Sequence, residues 1–183
     1  LKLWDLKTRR LQRTYSGHSA AVTSVAFSPN EETLISGSAD NTIKLWYIGL
    51  ENSTNTFEGH SDSLSSVAFS PDGKTLVSGS KDDTLMVWDL RTKTLTNTLK
   101  GHSDNVTSVA FSPDGHTLLS GGKDNTLKLW DAGKEVLSNY YKGHSNNITK
   151  VSYSPNGKTV LSSSEDKTIQ LWDAVTGILN NTF

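Results

Sequence analysis

The feature that most constrains this 183-residue chain is a strict interval of 42 residues. Gly-His pairs fall at Gly17-His18, Gly59-His60, Gly101-His102 and Gly143-His144, and the five tryptophans at Trp4, Trp46, Trp88, Trp130 and Trp172. A fixed period of this length describes one supersecondary unit copied along the chain, each copy too small to bury its own apolar face. Stacked neighbours must then supply the core. Residues 101–131, GHSDNVTSVAFSPDGHTLLSGGKDNTLKLWD, display the unit most fully.

Inside the unit the pattern predicts four strands, near 21–27, 33–38, 42–47 and 53–57 in the first copy and 42 residues apart in the others. Ile43 and Leu45 alternate with Lys44 and Trp46, the two-residue period of a strand with distinguishable faces. In VTSVAFSP, apolar and small residues crowd both faces, as an inner strand requires. Hairpin turns follow at Pro71-Asp72-Gly73, Pro113-Asp114-Gly115 and Pro155-Asn156-Gly157, where proline presets φ and glycine takes the left-handed position. The first copy reads Pro29-Asn30-Glu31 instead. A non-glycine residue at positive φ costs about 1–2 kcal/mol, so either this turn has another geometry or its copy is weaker. Tyr47 stands where the other copies have Asp, and its connection, YIGLENSTN, is expected to follow a different path.

Residues 1–5, LKLWD, match the end of a repeat, and 10–15 read as the next strand. The organisation is therefore a half-unit at 1–15 and full repeats at about 16–57, 58–99, 100–141 and 142–183. The short polar linkers make 1–183 a single domain.

With Gly-His near its start and Trp-Asp at its end, in register in four copies, the unit resembles the WD-repeat β-propeller family. The resemblance implies an all-β fold, a propeller of four-stranded antiparallel blades: four complete blades plus an N-terminal half-blade. Propellers have roughly 4–8 blades, and four and a half fit poorly with a closed ring. The ring is expected to be incomplete, finished by repeats upstream of Leu1 or by another chain. Because the only methionine is Met86, a segment of a longer multidomain protein is expected.

Composition narrows the function. Lysine and arginine number 18 against 19 acidic residues, which leaves no electrostatic footprint for nucleic acid or an anionic membrane surface. No apolar run approaches the ~20 residues that cross a bilayer, and the N-terminus lacks a signal-peptide core. There is no cysteine, hence neither disulfide nor thiolate metal site, which fits a reducing, cytoplasmic location. Sequons at Asn52, Asn105, Asn147 and Asn180 carry little weight without a secretory signal.

Each repeat carries His, then Ser 18 residues on, Asp four beyond, and Trp six further. The sets are His18, Ser36, Asp40, Trp46; His60, Ser78, Asp82, Trp88; His102, Ser120, Asp124, Trp130; and His144, Ser162, Asp166, Trp172. One Ser-His-Asp set would suggest a hydrolase triad. Four argue the opposite, because a nucleophile is needed once and a structural lock in every blade. Tryptophan Nε1 only donates and ionised Asp only accepts, so a relay from Trp through Ser and His to Asp satisfies every group. The WD resemblance assigns these positions to such a hydrogen-bonded tetrad. One His and one Asp per blade bring no three metal ligands together, no Gly-rich phosphate loop follows a strand, and His116 reads as a solvated turn residue. Neither cofactor, metal nor catalytic residue is expected. Trp4 has no tetrad partners within the chain.

In WD propellers the usual binding face carries the loop before the first strand and the turn between strands two and three. The third and fifth residues after each His, with the residue before each tetrad Asp, are then Ala21, Thr23, Ala39; Ser63, Ser65, Lys81; Asn105, Thr107, Lys123; and Asn147, Thr149, Glu165. None is the Trp, Tyr or Arg typical of hot spots, so either many weak polar contacts act together or the decisive blades lie outside this chain. Lys81 and Lys123 could meet one acidic segment. The expected function is a non-enzymatic scaffold or sensor for a protein partner. The analogy is to WD arrays attached to nucleotide-binding switch domains, at the level of fold alone. The alternative is an assembly element whose open ends pair between chains, possible as a homo-oligomer.

Overall fold

A computed structural model describes residues 1–50 and 54–183. Regular structure among them is entirely β. Strands β1 (Lys2–Trp4) and β2 (Leu11–Thr14) form a two-stranded sheet, and four four-stranded sheets follow in chain order. Blade one holds β3 (Val22–Phe27), β4 (Thr33–Ser38), β5 (Thr42–Tyr47) and β6 (Thr54–Glu58); blade two holds β7 (Leu64–Phe69), β8 (Thr75–Ser80), β9 (Thr84–Asp89) and β10 (Thr94–Lys100). Blade three has β11 (Val106–Phe111), β12 (Thr117–Gly122), β13 (Thr126–Asp131) and β14 (Val136–Lys142), and blade four β15 (Ile148–Tyr153), β16 (Thr159–Ser164), β17 (Ile169–Asp173) and β18 (Leu179–Thr182). Each blade is an antiparallel meander, every strand pairing with its sequence neighbour. Position 53 of the expected strand, the Asn52 sequon and the middle of the connection after Tyr47 lie outside the described residues.

No blade owns its core. Ile35, Ile43 and Phe57 of blade one pack in a single cluster with Leu64, Val67 and Trp88 of blade two. Blades two and three share the next, through Val77, Leu85 and Leu99 against Val106, Val109 and Trp130. The third joins Leu119, Leu127 and Tyr141 to Ile148, Val151 and Trp172. Innermost strands β3, β7, β11 and β15 therefore pack one on the next. The series does not close. At its two ends the same faces are open: Val25 is 57% and Phe27 59% exposed on blade one, and Leu161 is 42% and Phe183 66% exposed on blade four. Their counterparts at internal interfaces, such as Val67, Val109, Leu119 and Tyr141, are buried.

Close approach between blades dictates one glycine per interface. A Cβ on Gly121 would lie 2.5 Å from Ile148 Cγ2, and one on Gly79 2.6 Å from Val106 Cγ1. The first hairpin turn keeps the geometry of the others, since Glu31 has φ 59° where Gly73, Gly115 and Gly157 have 69°, 76° and 70°. Of the two alternatives left by the sequence, the structure selects a strained turn of unchanged shape. The connection after Tyr47 also starts on the common path: Ile48 N donates to Glu32 O as Leu90 N does to Lys74 O. What differs is the missing carboxylate. Asp89, Asp131 and Asp173 accept backbone N–H bonds from Thr92, Lys134 and Thr176 in the following turn, a role Tyr47 cannot fill.

Two substitutions follow with opposite signs. Glu31→Gly should stabilise by about 0.5–1 kcal/mol, the left-handed strain of about 1–2 kcal/mol less the added chain entropy of glycine. Gly121→Ala should destabilise by about 1–3 kcal/mol as the overpacked interface shifts. Urea unfolding midpoints measure both.

Candidate functional site

In blade three, β13 carries Trp130 beside Ser120 on the adjacent β12, and the loop entering β11 brings His102 over both. Trp130 Nε1 donates to Ser120 Oγ at 2.9 Å, His102 Nε2 lies 2.7 Å from the same oxygen, and His102 Nδ1 lies 2.8 Å from Asp124 Oδ2. With the ionised carboxylate as acceptor, Nδ1–H is the donor and Nε2 accepts from the serine hydroxyl. The geometry repeats in the other blades, with Trp-to-Ser distances of 2.8, 3.0 and 2.9 Å and His-to-Asp distances of 2.8 Å throughout. All four serines are buried. Each hydroxyl is engaged from both sides beneath an indole, which closes it to an incoming acyl group.

A fifth member escaped the sequence reading. Thr42, Thr84, Thr126 and Thr168, two residues after each tetrad Asp, donate their hydroxyls to its Oδ1 at 2.6–2.7 Å. Their backbone N–H groups reach the same oxygen, and the residue after each His donates its N–H to Oδ2. The signal was present as Asp-x-Thr in every copy.

Burial by itself would raise the carboxyl pKa of Asp40, Asp82, Asp124 and Asp166, but the bonds from histidine, threonine and the backbone outweigh it and hold all four below the usual carboxylate range. In blade two, burial pushes the His60 imidazole down despite its Asp82 partner. Blade three adds a buried cation, Lys128, whose Nζ donates to Thr126 Oγ1 at 2.7 Å and lies 3.3 Å from Asp124 Oδ2. Trp4 is 53% exposed and has no such partners among the described residues.

The face expected to bind a partner forms directly above the tetrads. In each blade the backbone N–H before the tetrad Asp donates to the third residue after His: Ala39 to Ala21, Lys81 to Ser63, Lys123 to Asn105 and Glu165 to Asn147, at 2.8–3.0 Å. Asn147 Nδ2 also donates to Glu165 Oε2 at 2.9 Å, and the Asn105 amide, in the orientation that satisfies both its ends, donates across to Lys81 O at 2.9 Å. Lys81, Lys123 and Glu165 project into solvent.

The fifth residues after His stand elsewhere. Thr107 Oγ1 reaches Gly121 O in its own blade and Ile148 O in the next, at 2.9 and 2.6 Å, and Ser65 Oγ likewise contacts Gly79 O and Val106 O. These hydroxyls clamp neighbouring blades. Thr23 bonds only within its blade, to Gly37 O, and Thr149 Oγ1 lies 2.8 Å from Ser163 Oγ. His116 is exposed in its turn. No helix among the described residues is long and apolar enough to cross a membrane.

Four consecutive stretches, 9–47, 51–89, 93–131 and 134–173, match the family described as WD domain, G-beta repeat. The chain belongs to the WD-repeat family, whose members are in general non-enzymatic scaffolds for protein interaction. Each matched unit begins with the last strand of one blade and ends with the Trp strand of the next. Among curated proteins, none matches the sequence.

The depressed carboxyl pKa values fix the sign of the acid response. Their stabilisation is fully present above the unfolded value of about 3.9 and is lost as pH falls below it. His60, also depressed, adds a loss that begins below about pH 6.5, where the unfolded imidazole takes a proton first. Urea midpoints should therefore decline gently below pH 6.5 and steeply below pH 3.9. Asp124→Asn should lower the midpoint at neutral pH and make the steep arm shallower.

Proposed function

We propose that this chain is a non-enzymatic scaffold or sensor that holds a protein partner on the loop face above the tetrads. One observation carries the reading. The same backbone bond fixes the paired loop positions in every blade, while the side chain it presents changes from Ala39 to Lys81, Lys123 and Glu165. A constant platform with variable display is what recognition by a repeat array needs, and the tetrads act as fasteners that hold it. The charge balance and absence of cysteine favour work in the cytoplasm, as in signalling, and the apolar faces at both ends favour operation within a larger multidomain protein. Those same faces support the second reading, an element that assembles through its ends.

The loop-face reading predicts a difference between the two faces. A photocrosslinking side chain at position 123 should capture a discrete protein that one at position 158, in the turn at the other end of the strands, does not. Lys81→Glu together with Lys123→Glu should weaken that protein's affinity about tenfold, roughly 1.4 kcal/mol. Equal capture from both positions overturns the reading, and unchanged affinity removes the acidic-segment contact.

A further inference from the structure

We infer that the hollow between blades two and three, at the ends of the strands away from the loop face, is a docking site for an arginine-bearing segment of a partner protein. The inference is independent of the loop-face reading. It rests on a comparison of the three seams between complete blades.

Differences between the copies leave the middle seam underfilled. Between blades one and two, Tyr47, Phe69 and Leu90 pack against the shared core. Between blades three and four, Tyr141 lies in the core and Tyr153 packs on it. The Tyr141 hydroxyl donates to Ala174 O at 2.9 Å, and the Tyr153 hydroxyl lies 2.8 Å from Thr117 Oγ1. The corresponding residues of the middle seam are smaller, with Asp89 for Tyr47, Ala132 for Leu90, Leu99 for Tyr141 and Phe111 for Tyr153. What remains is a hollow of about 600 Å³ with an apolar floor of Val87, Phe111 and Leu118. Ligand sites run roughly 300–1,000 Å³. Ala132 and Thr75 also line the hollow, without the tyrosine hydroxyls that their counterparts Ala174 and Thr117 receive.

The walls define what fills it. Asp72, Asp89, Asp114 and Glu135 line the hollow, and none of its lining residues is a lysine or arginine. The flanking seams differ in charge. His116 stands where they carry Lys74 and Lys158, and Glu135 stands where the first carries Lys93. Asp114 Oδ1 accepts Ser112 Oγ and the His116 N–H, and Glu135 Oε1 accepts Thr96 Oγ1. The second oxygen of each carboxylate takes no hydrogen bond from a described residue. Among the described residues no group of three His, Asp or Glu is placed to hold a metal ion, so the complement to these acceptors is an organic cation.

A guanidinium suits the hollow better than an ammonium. It donates in a plane to carboxylates and stacks on an aromatic face, here Phe111, while its aliphatic stem covers an apolar floor. The surroundings favour an arginine within a chain over a free guanidinium compound. A second, largely apolar hollow of about 370 Å³ adjoins the first, sharing Ser70, Pro71 and Phe111 and extending over Phe69, Val109 and Pro113. An extended segment seats its arginine in one and a neighbouring apolar side chain in the other.

The test titrates the blocked peptide acetyl-Ala-Arg-Leu-amide into the whole chain and follows backbone amide resonances. Those of His116, Gly133 and Glu135 should shift saturably while that of Lys123, on the loop face, stays in place. The same peptide with citrulline, the uncharged isostere of arginine, should bind about tenfold more weakly. Ethylguanidinium, which leaves the apolar hollow empty, should also bind more weakly than the peptide. Glu135→Lys copies Lys93, whose φ of 60° matches the 55° of Glu135, and should cost about tenfold in affinity with the melting temperature unchanged. Ala132→Leu copies Leu90 and should abolish the shifts by filling the floor. The proposal is overturned if the peptide gives no saturable shift, if the citrulline peptide or ethylguanidinium binds as tightly, or if both variants melt with the parent and bind the peptide unchanged.

Discussion

The structure depends on an apolar interface that no blade can complete alone. Each core cluster draws its residues from two successive sheets, so the hydrophobic stabilisation, roughly 25 cal/mol per Å² of buried apolar area, accrues between blades. The interface also sets local chemistry. Gly79 and Gly121 are required by the approach of the next innermost strand, and the hydroxyls of Ser65 and Thr107 bridge the two sheets at the same seam. Polar residues near the axis therefore serve cohesion as much as solubility.

Against this lateral cohesion the tetrads act along each blade. A chain of hydrogen bonds runs from the indole on the third strand, through the second, to the loop entering the first, and ends on a carboxylate that accepts three further bonds in each blade. The loops it fixes carry exposed residues that differ between copies, Ala39, Lys81, Lys123 and Glu165 among them. Rigidity beneath and variation above arise from the same unit, which lets an array of near-identical repeats present a surface that is not itself repetitive.

Much of this was legible in the sequence, because the period of two and the Pro-x-Gly turns act locally. The strands of all four copies lie within a residue or two of the positions read from the apolar pattern, the turns and the repeat interval, and the members of each His, Ser, Asp and Trp set stand within hydrogen-bond reach. Less legible were roles decided between copies. Thr107 and Ser65 look like surface residues in a single repeat, and only the arrival of Val106 or Ile148 from the next blade turns their hydroxyls inward. Thr126 was visible as Asp-x-Thr, but its meaning lies in the lone pairs left on Asp124 after histidine has taken one. Glu31 could be read two ways because φ depends on whether the surrounding hairpin tolerates strain, and its hydrogen bonds, Glu31 N to Ser28 O among them, hold the shape fixed.

The offset between the family's repeat and the blade has a consequence for how such chains grow. Each family-matched stretch gives its first strand to one sheet and its other three to the next, so none of these stretches is a blade and no blade lies within a single one. Insertion or loss of one unit by recombination would nevertheless leave every remaining sheet four-stranded, with each seam rebuilt from equivalent residues. The stagger works like the overlap of bricks in a wall, tying successive sheets covalently across their joints and allowing the array to change length in whole steps without passing through a broken sheet.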